Sequence, residues 1–236
     1  MMANDNDKDV AELIAQAENH FENQRNRQSL EAWLSVLELD STHYRALHET
    51  SLLYNIMGYQ FEDEETSMEY YNKALHHAEQ ALEHHPDHDE SHYVYSIALG
   101  RLGDKSPPRT RVRYANLIKE HAEIALELNP EHAGAWHVLG VWHHNAANLN
   151  LAERTGVRML GGLPPSSNEE AEEAFKRAIE LDSQTIVFYH DFAKFYMDWG
   201  KKQKAKSILQ QAVTMEPKIE GDEKFLDNSK NMLANL

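Results

Sequence analysis

The phrase RAIELDS, at residues 177–183, recurs in related form along the chain and predicts the fold. The related phrases are SVLELDS (35–41), QALEHHP (80–86), IALELNP (124–130) and QAVTMEP (211–217). Each carries a small or β-branched apolar residue five positions before its end, namely Val36, Ala81, Ala125, Ala178 and Ala212. Each also ends in Ser or Pro, residues typical of a helix terminus. We therefore predict about five copies of one helical unit.

The spacing of these phrases identifies the unit. The last interval, from Ser183 to Pro217, is 34 residues, which is the period of the tetratricopeptide repeat. The earlier intervals are 45, 44 and 53 residues, so we expect insertions inside repeats two, three and four. Small residues stand four positions before large ones, as in Ala171 and Phe175, and such pairs let helices pack closely.

The predicted architecture is all-α. We expect a single domain, an α-solenoid of about five irregular tetratricopeptide-like hairpins with a C-terminal capping helix at about 222–236. The insertion at about 149–161 reads as a short helix, followed by the breakers Gly161-Gly162 and Pro164-Pro165. The predicted repeats are at about 10–41, 42–86, 87–130, 131–183 and 184–217.

Composition excludes several functional classes. The 236 residues include 39 Asp and Glu against 23 Lys and Arg, a net charge of −16 that repels polyanions, so no nucleic-acid partner is expected. There is no cysteine, hence no disulfide framework and no thiolate chemistry. No stretch approaches the roughly 18–20 apolar residues of a transmembrane segment. The opening MMANDNDKDV lacks the apolar core of a signal peptide. A cytoplasm is slightly favoured, or a periplasm if a leader has been removed.

Catalytic and cofactor motifs are absent from the sequence. There is no GxSxG, phosphate loop or glycine-rich dinucleotide turn, so we expect neither an enzyme nor a cofactor. One dense cluster contains residue types that bind Zn or Ni. Its members are His84, His85, His88 and His92 with Asp87 and Asp89. Pro86 interrupts the helix between them, which favours a solvated turn over a metal site.

The first helix of each hairpin lines the concave face of such a solenoid. The candidate groove positions on that face are His48, Leu52, Tyr93, Val94, Ile97, Arg101, His137, Val138, Val141, Asn145, His190 and Lys194. The middle of the set is apolar, which suits an amphipathic helix or an acyl chain. The full set of Lys and Asn donors that clamps the carboxylate tails of heat-shock chaperones is missing, so this function is not expected. The alternative interpretation is that tight coiling, or the folded-over insertion, makes these residues core.

Two further patterns have alternative interpretations. One repeat position is occupied by histidine three times, at His48, His137 and His190. These side chains either form a ladder along the groove that gains charge near about pH 6, or are unrelated histidines that are partly packed. A basic stretch either contacts phosphate, a membrane surface or an acidic partner, or pairs with this chain's own acids. It consists of Arg101, Lys105, Arg109, Arg111 and Arg113, next to Tyr114. The insertion helix, which carries Arg154 and Arg158, is either a lid or a filler between hairpins.

The stretch from Ser91 to Ser183 resembles the regulator of microtubule dynamics family of tetratricopeptide proteins. The matching phrases are IKEH at 118–121, ELNP at 127–130 and PPSS at 164–167, with the long insertion after Trp142 in the same place. Agreement is weaker around 69–82. The resemblance implies a helical-repeat adaptor without enzymatic activity. Some relatives are tied to microtubules or organelle membranes, but we do not expect here the membrane anchor of some of them, so those cellular roles are not expected to carry over.

Together these observations predict a non-enzymatic adaptor that binds a protein or peptide segment in its concave groove. The alternative from a different class is a carrier of a hydrophobic small molecule or lipid in the same groove. No metal and no transmembrane segment are expected.

Overall fold

The structure, a computed structural model, describes residues 5–236 and shows only helices and connections within that range. The predicted all-α fold is confirmed. Residues 1–4 lie outside the described residues. They are the start of the opening stretch in which the sequence shows no signal peptide. The helices are α1 (Asp5–Glu22), α2 (Asn26–Leu39), α3 (Tyr44–Gln60), α4 (Glu64–His84), α5 (Asp89–Gly103), α6 (Pro108–Leu128), α7 (Ala133–Ala147), α8 (Leu151–Met159), α9 (Asn168–Leu181), α10 (Ile186–Asp198), α11 (Lys202–Ala212) and α12 (Asp222–Ala234).

The recurring phrases form the ends of the second helices. In four of them the helix ends at the fifth residue of the phrase, and the next backbone N–H bonds to the carbonyl of the small residue. Asp40 N donates to Val36 O over 2.8 Å, and Asp182 N donates to Ala178 O over 2.9 Å. All five small residues have no exposed surface. The fifth phrase departs from the pattern, because α11 already ends at Ala212.

Successive helices pack as hairpins: α1 with α2, α3 with α4, α7 with α9, and α10 with α11. The inserted α8 lies between α7 and α9 in the chain, and α12 packs against both α10 and α11 in the place predicted for the cap. The chain divides into two compact units, and the division falls within α5. The first unit runs to Ala98 and includes Lys218–Gly221; the second comprises Leu99–Pro217 and Asp222–Leu236. The single-domain organisation stays a prediction.

The first unit has its own core and a capped α2. Trp33, Leu53 and Val94 are at most 2% exposed and belong to one apolar cluster. α2 has no side-chain cap of its own. Instead, Glu220 Oε2 accepts a hydrogen bond from the backbone N–H of Asn26 over 3.2 Å, which satisfies one of the free donors at the start of that helix.

The second unit is built around aromatic side chains. The rings of Phe175 and Phe192 stack with centroids 5.3 Å apart, and Phe195 lies 5.6 Å from Phe175. Gly140 lets α9 approach α7 here, since a Cβ at position 140 would lie 2.9 Å from the ring of Phe175. The Leu-Gly pair at 139–140 therefore serves close helix packing.

Candidate functional site

The candidate groove positions of the first unit lie largely in packing contacts. Val94 has no exposed surface, and Leu52 and Tyr93, both half-buried, pack against the same core. Ile97 is half-buried as well. His48 is 8% exposed, and its ring lies edge-on to Tyr44 at 4.7 Å. In this unit the interior interpretation describes Val94 and His48 better than an open apolar groove.

In the second unit the candidate positions divide into packed and exposed groups. Val138 and Val141 are half-buried and pack against separate core clusters, Val141 against the cluster that contains Phe175. His190 is 9% exposed and its Nδ1 lies 3.0 Å from Ser229 Oγ on α12. Asn145 and Lys194 are exposed, and Arg101 is half-buried. The exposed candidate positions of this unit are therefore the polar residues Asn145 and Lys194.

Two histidine–aspartate pairs join α7 to α10. His137 Nε2 lies 2.9 Å from Asp191 Oδ2, and His144 Nε2 lies 3.0 Å from Asp198 Oδ2. Burial alone raises the pKa of Asp191, but its contact with His137 outweighs this and holds that pKa below the usual value; Arg101 acts in the same direction. Sequence reasoning missed the pairs. The signal was the shared spacing of seven residues in both helices.

Burial opposes the gain of charge at two of the three positions of the predicted histidine ladder. Burial lowers the pKa of His48 to about 4, although the carboxylate of Glu90 opposes it. Burial also lowers the pKa of His190. Removal from water disfavours the imidazolium form, so His48 is neutral near pH 6, and the pKa of His190 is shifted in the same direction.

The histidine-rich turn is held by carbonyls and ring contacts. His85 Nε2 lies 2.5 Å from Thr42 O, and His92 Nε2 lies 2.8 Å from Pro86 O. The ring of Tyr44 packs against His88 at 4.0 Å. Among residues 5–236, no group of three His, Asp or Glu side chains is arranged to hold a metal ion.

The basic stretch is only partly paired with the chain's own groups. The guanidinium of Arg111 donates to the carbonyls of Gly103 and Asp104 over 3.3 and 3.1 Å, which fastens the α5–α6 loop. Arg109 and Arg113 are exposed, and Arg113 lies over the ring of Tyr114 at 5.3 Å. None of the residues of the insertion helix α8 is fully buried, and only Gly156 and Val157 are half-buried.

Two clefts in the second unit differ in how their charges are paired. One, of about 490 Å³, lies beside Trp136 and α9. Its Glu172 Oε1 accepts bonds of 2.8 Å from Tyr196 Oη, Lys204 Nζ and Lys176 Nζ. Although burial opposes it, these donors lower the pKa of Glu172 to about 2. The other, of about 520 Å³, lies between α6 and the segment Leu160–Gly161.

Comparison with solved structures identifies the fold. A thermophilic TPR protein of Thermus thermophilus superimposes with a TM-score of 0.68 at 17% identity, covering 95% of this chain and 99% of its own. The predicted tetratricopeptide-like solenoid is therefore confirmed. Within residues 5–236, the helices all fall short of the length and apolar character needed to cross a membrane.

Comparison of sequences identifies the family. Regulator of microtubule dynamics protein 1 of Homo sapiens is 27% identical over 169 residues, which is 70% of this chain and 53% of the relative. The Pongo abelii protein of the same name is 28% identical with the same coverage. This chain thus spans about half the length of the curated relatives it matches. The family model described as Regulator of microtubule dynamics protein 1-3 matches residues 13–236. Because that match covers nearly the whole sequence, the chain belongs to the regulator of microtubule dynamics protein 1-3 family.

Proposed function

We propose that this chain is a non-enzymatic scaffold that binds a protein segment on the α7/α10 surface. That surface comprises Val141 and Asn145 on α7 with Lys194 on α10, next to Arg101. The tetratricopeptide fold and this family are typical of protein-interaction scaffolds. The relatives are named for microtubule dynamics, but they extend over about twice the length matched here. The proposal therefore concerns segment binding alone.

The observation that carries the proposal is the pairing of His137 with Asp191 and of His144 with Asp198, at 2.9 and 3.0 Å. Both pairs fix α7 against α10 before any partner arrives. A surface that is already ordered loses less conformational entropy on binding. The groups next to the pairs stay accessible, because Asn145 and Lys194 are exposed.

The chemistry of this surface suits an extended or helical segment with polar groups. Burial lowers the pKa of His144, although the charge of Asp198 opposes this. The ammonium of Lys194 also lowers that pKa, which indicates that Lys194 lies near the pair. The amide of Asn145 and the ammonium of Lys194 supply donors for carbonyl or carboxylate oxygens. The half-buried Val141 adds an apolar contact between them. The carrier of a hydrophobic ligand gains no support from the two clefts described above, since charged side chains line both.

Site-specific photo-crosslinking tests the proposal. p-Benzoyl-phenylalanine is placed at position 145 on α7 or, as a matched control, at position 206 on α11, where Lys206 is also exposed. After irradiation in cells that produce the chain, we expect a discrete protein adduct from position 145 only. The charge reversal Lys194→Glu is expected to remove it. Equal adducts from both positions, or adducts with lipid alone, would contradict the proposal.

A further inference from the structure

The first half of α6 concentrates positive charge on an otherwise acidic chain. Residues 105–119 contain five Lys and Arg and no acid, between Asp104 and Glu120. Arg109 and Arg113 stand one helical turn apart, so both guanidinium groups project from the same face of α6. Both side chains are exposed. A local cationic face on a chain of net charge −16 is the opposite of what the overall composition provides.

The neighbouring cations are already engaged, whereas these two are not. Arg111 is bonded to carbonyls of the α5–α6 loop, and Lys119 forms an ion pair with Glu123. Across residues 5–236, neither Arg109 nor Arg113 forms an ion pair with an acidic side chain, and the ring of Tyr114 lies beneath Arg113 at 5.3 Å. Two guanidinium groups, each able to bind a carboxylate through two parallel hydrogen bonds, are therefore available.

An apolar floor lies beside these two arginines. The cleft of about 520 Å³ runs between α6 and the segment after α8, with Val112, Leu117 and Leu160 among its lining residues. Leu160 is 38% exposed. The far wall is held in place because Asn116 Nδ2 donates to Gly162 O over 3.1 Å. The cleft therefore offers an apolar recess whose rim carries positive charge.

Helix α8 leads into the cleft wall formed by Leu160 and Gly161 and carries two exposed apolar side chains. Its Leu151 and Met159 are each 83% exposed, although both are strongly apolar side chains. Arg158, next to Met159, is exposed too. Leaving such side chains in water costs free energy in proportion to their apolar area, and Met159, which precedes Leu160 of the cleft wall in the chain, adds to the exposed apolar surface there.

We propose that this α6/α8 cleft binds an acidic protein segment that carries an apolar side chain. Carboxylates of the segment pair with Arg109 and Arg113, and the apolar side chain enters the recess beside Leu160. The α6/α8 cleft shares no residue with the α7/α10 surface. The proposal therefore goes beyond the function proposed above, and either can fail without the other.

Shape and charge favour a protein segment over an anionic membrane. A cleft closed on two sides accepts a single chain, while a flat bilayer reaches only its rim. A bilayer would also bring many acidic side chains of the chain close to anionic headgroups, whereas a short segment contacts little besides the arginines.

Fluorescence anisotropy with defined peptides tests this inference on the full chain. The probe is fluorescein-labelled (Glu-Glu-Leu)₄, and the comparison peptides are (Glu-Glu-Ser)₄ and (Lys-Lys-Leu)₄. We expect Arg109→Glu and Arg113→Glu each to weaken binding of the first peptide by about tenfold or more. Lys206→Glu makes the same change in net charge at an exposed site on α11, and should alter binding less than about twofold. Leu160→Ser should weaken binding of the (Glu-Glu-Leu)₄ peptide more than binding of the (Glu-Glu-Ser)₄ peptide.

Four results would overturn the inference. Equal weakening by Lys206→Glu would show a response to net charge alone. Equal affinity for the Glu-Ser peptide would show that the apolar recess is unused. Tighter binding to vesicles containing 30% phosphatidylserine than to the Glu-Leu peptide, lost in Arg109→Glu, would assign the surface to membranes. Concentration-dependent self-association lost in Arg109→Glu would assign it to a second copy of this chain. Circular dichroism of each variant, unchanged from that of the parent chain, keeps the comparison free of folding defects.

Discussion

His137 Nε2 and Asp191 Oδ2 lie 2.9 Å apart, and the same contact recurs seven residues later, where His144 Nε2 and Asp198 Oδ2 are 3.0 Å apart. Seven residues are close to two helical turns, so both pairs lie on one face of α7 and one face of α10. The two aspartates differ in their surroundings, since the side chain of Asp191 is 28% exposed and that of Asp198 is 50% exposed.

The difference in exposure predicts unequal contributions to stability. Asp191→Ala removes the more enclosed of the two carboxylates, whose contact with His137 is screened less by water, and we expect a loss of about 2 kcal/mol in the free energy of unfolding. Asp198→Ala removes a half-exposed partner, so we expect a loss of about 0.5 kcal/mol. Urea unfolding of both variants at neutral pH measures the difference. Equal losses in the free energy of unfolding would show that the two pairs contribute equally to stability, which would contradict the prediction.

The helical framework could be predicted from sequence because its determinants are local. Val36 and Ala178 mark the place where a second helix touches its partner, and only a small or compact side chain fits there. A helix-ending Ser or Pro follows within five residues. Such signals depend on the helical period and on nearest neighbours, which the sequence displays directly.

The candidate site could not be predicted to the same extent, because exposure depends on distant segments. His190 occupies an inward repeat position, but Ser229 of α12 lies against it. Conversely, the apolar pattern of α8 predicts a helix that covers something, and yet Leu151 stays exposed. Periodicity identifies the face of a helix, and only the packed structure shows what covers that face.

Close packing at Gly140 gives a second prediction. A Cβ at this position would lie 2.9 Å from the ring of Phe175. That ring is fully buried, so neighbouring side chains leave it little room to move away. We expect Gly140→Ala to destabilise the chain by about 2 kcal/mol, because overpacking outweighs the gain in helix propensity. Gly100→Ala is the matched control, since its Cβ would meet nothing closer than 4.0 Å. That variant should be neutral or stabilised by up to about 1 kcal/mol. Thermal unfolding of both variants checks the contrast, and an unchanged Gly140→Ala would contradict it.

The cap supplied by Glu220 gives a third prediction. Its carboxylate accepts from the N–H of Asn26 at the start of α2, where the first turn carries no acidic residue. Glu220→Ala should lower the free energy of unfolding by about 1 kcal/mol, through loss of the hydrogen bond and of the favourable charge near the helix N-terminus. Glu216→Ala removes an exposed acid four residues earlier, outside any helix, and should change stability by less than about 0.5 kcal/mol. Urea unfolding followed by circular dichroism distinguishes the two, and equal effects would argue against a cap.

Burial of His77 predicts how stability depends on pH. Burial, reinforced by the neighbouring His76, lowers the pKa of His77 from 6.5 to about 4, and its ring stacks on Tyr54 with centroids 5.7 Å apart. Between pH 6.5 and 4 the unfolded chain therefore binds a proton at this position that the folded chain does not, so stability falls as pH falls through that window. His77→Gln removes this contribution, and the decline in unfolding free energy from pH 7 to pH 5 should become smaller by about 1 kcal/mol, allowing for the partial exposure of the ring. Part of the decline remains, because the pKa of His48 is also about 4 in the folded chain.

The control His76→Gln replaces an exposed imidazole one residue away and should leave the slope close to that of the parent chain. Urea titrations at pH 7, 6 and 5 measure the three slopes; a His77→Gln slope equal to the parent's would show that this imidazole titrates normally in the folded chain.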